Sequence, residues 1–113
     1  MTEHDRRYPI GRFEWPKTVT SEDRAVYIAR IASAPARLRA ASSHLTNAQL
    51  DTPYRTGGWT IRQVIHHVPD SHVNAYVRFK LALTENDPVI KPYDEAAWAL
   101  LGDSTRTPVE TSL

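Results

Sequence analysis

The sequence predicts an all-α fold, read as the first part of a helix bundle preceded by an extended arm. Two long stretches, one after Thr20 and one after Thr60, place apolar residues at the three-four spacing of a helix, and each opens on a residue suited to cap it. Eight prolines, at 9, 16, 35, 53, 69, 88, 92 and 108, cut the chain into segments and serve as joints.

Residues 1–20 carry Tyr8-Pro9-Ile10-Gly11-Arg12-Phe13 and Trp15-Pro16 without a helical period. They are expected to form an arm whose aromatics lie on a surface. The first helix is expected over 21–45: Ile28, Ile31, Leu38 and Leu45 share a stripe with Ala34 and Ala41. Thr20 or Ser21 can cap it, and Glu22 and Asp23 favour its positive end. Pro35 should kink or split it. Thr46 to Gln49 reads as a capping box opening one short turn, and residues 51–58, with Pro53 and Gly57-Gly58, as a connector.

The second main helix, over 61–84, has the best start signal. Thr60 and Gln63 form a capping box, with Trp59 and Val64 placed as a hydrophobic staple. Its seam is Ile61, Val64, Ile65, Val68, Ala75, Phe79 and Leu83, interrupted by Pro69. After a two-proline crossing over 86–93, Asp94 caps a short helix over 94–101 that stops at Gly102. Thr107-Pro108 with Glu110 is a further helix start, five residues before Leu113.

Composition narrows the function. The 113 residues hold one domain at most, and no apolar run approaches the roughly 20 residues of a membrane span, so a cytoplasmic protein without a membrane partner is expected. Fourteen Lys and Arg against 13 Asp and Glu leave a net charge of +1, too little to gather nucleic acid. With no cysteine, a metal must be held by His and carboxylates.

Five histidines, at 4, 44, 66, 67 and 72, are the conspicuous chemical groups. At about 100° per residue, His67, Ser71, Asn74 and Arg78 line one stripe beside the apolar seam. His66 then turns toward solvent and His72 onto the seam, while His4 and His44 read as surface residues. Inward histidines on bundle helices ligate metals, and one helix offers two ligands only at i and i+3 or i+4. His67 has Asp70 and Ser71 at those offsets, so this helix supplies one good His ligand. A hydrogen-bonded histidine at a core border is the plainer reading of the same position. Asp70 with either histidine could form an acid/base pair, and Ser71 or Ser43 could be a nucleophile, but no motif sets a hydroxyl against a base.

The run Trp59-Thr60-Ile61-Arg62-Gln63-Val64-Ile65-His66-His67-Val68-Pro69-Asp70-Ser71-His72, continuing through Asn74, Tyr76, Arg78, Phe79 and Lys80, resembles the YfiT-like branch of the DinB superfamily. So do Tyr8 to Phe13, Leu50 to Arg55 with Gly57-Gly58, and Pro92 to Glu95 with Trp98. The resemblance covers about residues 8–113. It implies a four-helix bundle and a metal-dependent hydrolase with one divalent metal ion per subunit, zinc with nickel as the alternative. A small-molecule substrate is expected, and a homodimer that buries the apolar seam left uncovered. The resemblance implies His67 as one of three histidine ligands; Asp70, Asn74 and Arg78, on the same helix, are expected as supporting or pocket residues, without a spacing that fixes them. The other two ligands would form an H-x-x-x-H pair, which does not occur after residue 72. The chain is therefore expected to be C-terminally incomplete and to bind metal weakly alone. The wider superfamily implies metal-dependent thiol transfer as the alternative chemistry, and a helical interaction module without activity is the alternative of another class.

Overall fold

The structure, a computed structural model, describes residues 5–113. It is all-α as expected: among the described residues there is no strand, only an isolated antiparallel bridge between Pro53 and Thr60. The helices are α1 (Ser21–Ser42), α2 (Asn47–Leu50), α3 (Ile61–Thr84), α4 (Glu95–Ala99) and α5 (Gly102–Thr105), followed by a 3₁₀ turn over Val109–Ser112. No helix among them is long and apolar enough to cross a membrane.

Three capping boxes fix where the first three helices begin. Thr20, Thr46 and Thr60 each accept the N–H of the third helical residue, and Asp23, Gln49 and Gln63 each reach back to the cap N–H. The bond from the Thr20 N–H holds the Asp23 carboxyl below its usual range. α3 covers the expected residues, whereas α1 stops at Ser42 and not at residue 45. Thr46 must be extended (φ −76°, ψ 163°) to cap α2, so the chain leaves the helical path first. Both long helices run unbroken through Pro35 and Pro69.

The C-terminal part departs from expectation at two joints. The helix expected over 94–101 ends at Ala99, and Gly102 is the first residue of α5, not a stop. The Arg106 side chain folds over Gly102, where a Cβ would meet Nη2 at 2.7 Å. At the end, Thr107 turns its hydroxyl back toward the Gly102 carbonyl, 3.5 Å away, so Pro108 takes the cap position without a side-chain cap and the chain forms a 3₁₀ turn.

The core sits around the first two turns of α3 and is largely polar. Arg62, Gln63, Ile65 and His66 are buried there, with Leu50, Ala99, Ser42 and Ser104 supplied by the other helices. Ile65 is the one buried member of the expected seam. Val64, Phe79 and Leu83 are 39%, 71% and 82% exposed, because α2, α4, α5 and the 3₁₀ turn cover the opposite flank of the helix. α1 carries Val26, Ile28 and Ile31 exposed as well, and in the arm Phe13 and Trp15 lie open, packed on each other. The accessible surface is 9369 Å², against about 6,300 Å² for a compact monomer of this mass. The radius of gyration is 16.4 Å where about 13 Å is usual. Apolar faces of α1 and α3 thus lack a partner among the described residues.

Candidate metal and substrate site

The connector before α3 sets the first site residue. Gly57 adopts φ +72°, open to glycine at little cost, and Gly58 lies so close to Arg55 and Tyr54 that a Cβ would stand 2.7 Å from Arg55 Cγ. The turn closes with Tyr54 N–H donating to the Trp59 carbonyl at 3.1 Å. Trp59 then meets the His67 ring edge-on, with centroids 5.1 Å apart. His67 is half-buried, one turn before Asp70 on α3.

Asp70 is partly buried, and burial pushes its carboxyl above the usual range. The charge of Asp103 on α5 adds to this, and His67 and His66 pull the other way. Asn74 Nδ2 donates to the Asp70 backbone carbonyl, four residues back on α3, at 2.8 Å. Arg78 lies further along, donating from Nη2 to the Lys91 carbonyl at 3.3 Å. His67, Asp70 and Asp103 therefore share one electrostatic neighbourhood, while Asn74 and Arg78 line a separate groove.

Two positions correct the helical-wheel expectation. His66 is buried, 4% exposed, and not solvated. Its Nε2 lies 2.8 Å from the Thr107 carbonyl and its Nδ1 2.6 Å from Ser112 Oγ. A carbonyl only accepts, so Nε2 carries the proton and Nδ1 accepts the Ser112 hydroxyl. His72 is exposed and not on a packed seam; His44 is exposed as expected, and His4 lies outside the described residues.

Sequence reasoning missed Arg62. It is 5% exposed, with Nε donating to Asp51 Oδ1 at 2.7 Å, Nη1 to the Thr107 carbonyl at 3.0 Å and Nη2 to Asn47 Oδ1 at 3.1 Å. A signal existed: a cation in the first turn of a helix opposes the dipole and wants a compensating acid. Asp103 was missed because nothing local ties it to Asp70.

Among the described residues, no group of three His, Asp or Glu side chains is arranged to hold a metal ion. The donors present do not make a metal centre by themselves, and no catalytic step is assigned through one.

The sequence model of the DinB superfamily matches residues 30–113. The chain belongs to the DinB superfamily. Within it, the chain is 54% identical over 110 residues to a protein of Bacillus cereus (strain B4264) named "putative metal-dependent hydrolase", and equally to one of Bacillus anthracis (strain A0248) with the same name. These alignments cover 97% of this chain and 63% of each relative. A solved structure, YfiT from Bacillus subtilis, superimposes with a TM-score of 0.89 at 48% identity, over 93% of this chain and 60% of YfiT. It is described as a probable metal-dependent hydrolase with an unusual four-helix bundle topology. The chain thus spans less than two thirds of the length of the relatives it matches.

Proposed function

We propose that the chain forms part of a metal-dependent hydrolase of small molecules in which His67 is one metal ligand. The observation that carries this is the placement of His67: a half-buried ring, fixed by Trp59 and set one turn from Asp70, in a chain 54% identical to proteins named for metal-dependent hydrolysis. The other ligands would come from outside the described residues. Zinc suits an imidazole donor in a chain without cysteine. When bound, such an ion makes a water nucleophilic near neutral pH.

The chain's own groups have narrower tasks. Trp59 limits the rotation of His67. Asp70, whose proton affinity is raised by burial, can hold or release a proton beside that position. The net charge of +1 gives no reason for a polyanionic substrate.

Isothermal titration of the chain with zinc, with His67→Ala alongside, tests the ligand. Uptake weaker than about micromolar and abolished in the variant is expected, since one ligand of a larger set binds poorly. Uptake unchanged by His67→Ala overturns the assignment. Zinc-dependent cleavage of simple esters or amides by the protein tests the reaction class, and cleavage indifferent to zinc and chelator would sink it.

A further inference from the structure

A groove of about 540 Å³ runs between α3 and the extended segment over 88–94, closed at one side by Trp98. Its lining joins two chemistries. Val73, Val77, Leu81 and Val89 form an apolar wall, and Arg78 and Lys91 add two cationic side chains. Tyr93 and Trp98 pack on each other beside them, centroids 4.7 Å apart and planes tilted by 57°. The one acid of the lining, Asp94, is engaged in capping α4, its Oδ1 accepting the Ala97 N–H at 3.0 Å.

The charge balance of this lining is unsettled. Arg78 is half-buried and spends Nη2 on the Lys91 carbonyl, yet neither Arg78 nor Lys91 has an ion-pair partner among the described residues. A partly desolvated guanidinium facing a cavity calls for an anion, and its fork favours a carboxylate. The volume lies within the range of small-molecule sites, roughly 300 to 1,000 Å³.

We propose that this groove binds an organic carboxylate with an apolar body, its anionic end against Arg78 and Lys91 and its body along Val73, Val77 and Trp98. The proposal rests on the hydrolase reading only in naming this ligand as one end of the substrate. The near end of the groove, at Val73, lies about 9 Å along the α3 axis from His67 and the anchoring Arg78 roughly 16 Å, so a substrate spanning that length presents its other end to His67.

The test is binding, without metal or turnover. The ¹⁵N-labelled chain is titrated with 3-phenylpropionate and with its uncharged amide, following the Trp98 indole N–H identified through Trp98→Phe. The carboxylate shifts this signal saturably and binds about tenfold more tightly than the amide, as a charge-assisted contact requires. Arg78→Gln brings the two ligands to about equal affinity, and Lys91→Gln narrows the gap, with both spectra otherwise preserved. Equal affinities for the unmodified chain, a response at Trp59 in place of Trp98, or no saturable response to either ligand overturns the proposal. Carboxylate binding together with zinc uptake that His67→Ala leaves unchanged keeps the groove assignment and removes the metal-ligand reading of His67 on which the hydrolase rests. Hydrolysis without preference for the carboxylate does the reverse.

Discussion

Arg62 and Asp51 form an ion pair of unequal partners: the guanidinium side chain is 6% exposed and the carboxylate 53%, with Nε donating at 2.7 Å. The burial of Arg62 is tolerable because its other bonds go to Asn47 and Thr107, so the two ends of α2 and the distant Thr107 turn converge on one planar fork. Solvent can rehydrate Asp51 if the pair breaks.

Arg62→Ala is therefore expected to cost about 2–3 kcal/mol, below the full penalty of a broken buried pair because one partner faces water. Arg62→Lys should recover less than half of that, since a point charge cannot serve three divergent acceptors. Urea midpoints at constant m-value measure both. A lysine variant as stable as the parent would show that charge, not the fork, joins these segments.

His66 ties down the end of the chain through Thr107 and Ser112. His66→Ala removes one of the two donors to the half-buried Thr107 carbonyl, which keeps Arg62 Nη1, and takes the acceptor from the half-buried Ser112 hydroxyl; the expected cost is about 1–2 kcal/mol. The loss should be local first: amides of the 3₁₀ turn over Val109–Ser112 exchange faster, while those in the middle of α3 keep their protection. Uniform acceleration along α3 would contradict this.

These two residues also mark where sequence reading stops. Thr60 and Gln63 were legible because a capping box is written within four residues, and His67 because helical geometry and motif agree on it. His66 was not legible: a helical wheel orders the side chains but cannot say which flank will be covered. That was decided by residues 95–112, whose packing onto α3 depends on contacts 36 to 46 residues away. The apolar seam was read correctly as apolar, yet most of it meets no partner among the described residues.

Asp70 gives a pH signature. Its carboxyl is raised by burial and by Asp103, so the folded state holds the proton more tightly than the unfolded chain. Above the raised folded-state value, the ionised group costs stability; the cost fades as pH falls through that value and is gone below the ordinary carboxylate value of about 3.9. Asp70→Asn should melt higher than the parent at pH 7 and converge with it toward acid. Asp103→Asn should give part of the same gain. Thermal melts across this range check both, and a parent more stable than Asp70→Asn at pH 7 would reverse the sign.

Gln63 separates a sequence rule from a structural one. By the capping rule, Glu and Gln serve equally at this position, since each offers an oxygen to the cap N–H. Here Oε1 accepts the Thr60 N–H at 2.9 Å while Nε2 donates to the Ala99 carbonyl at 2.8 Å, joining the start of α3 to the end of α4 in a site only 8% exposed. Gln63→Glu keeps the first bond and turns the second into a carboxylate facing a carbonyl, an unpaired buried charge unless it takes up a proton. The expected loss is about 2 kcal/mol or more at pH 7, larger than for Gln63→Ala, and it should shrink at low pH as the carboxyl protonates and can donate to Ala99. Denaturation of both variants at pH 7 and in mild acid decides the matter. A glutamate variant equal to the parent at pH 7 would mean that only the cap, and not the bond to Ala99, holds this corner together.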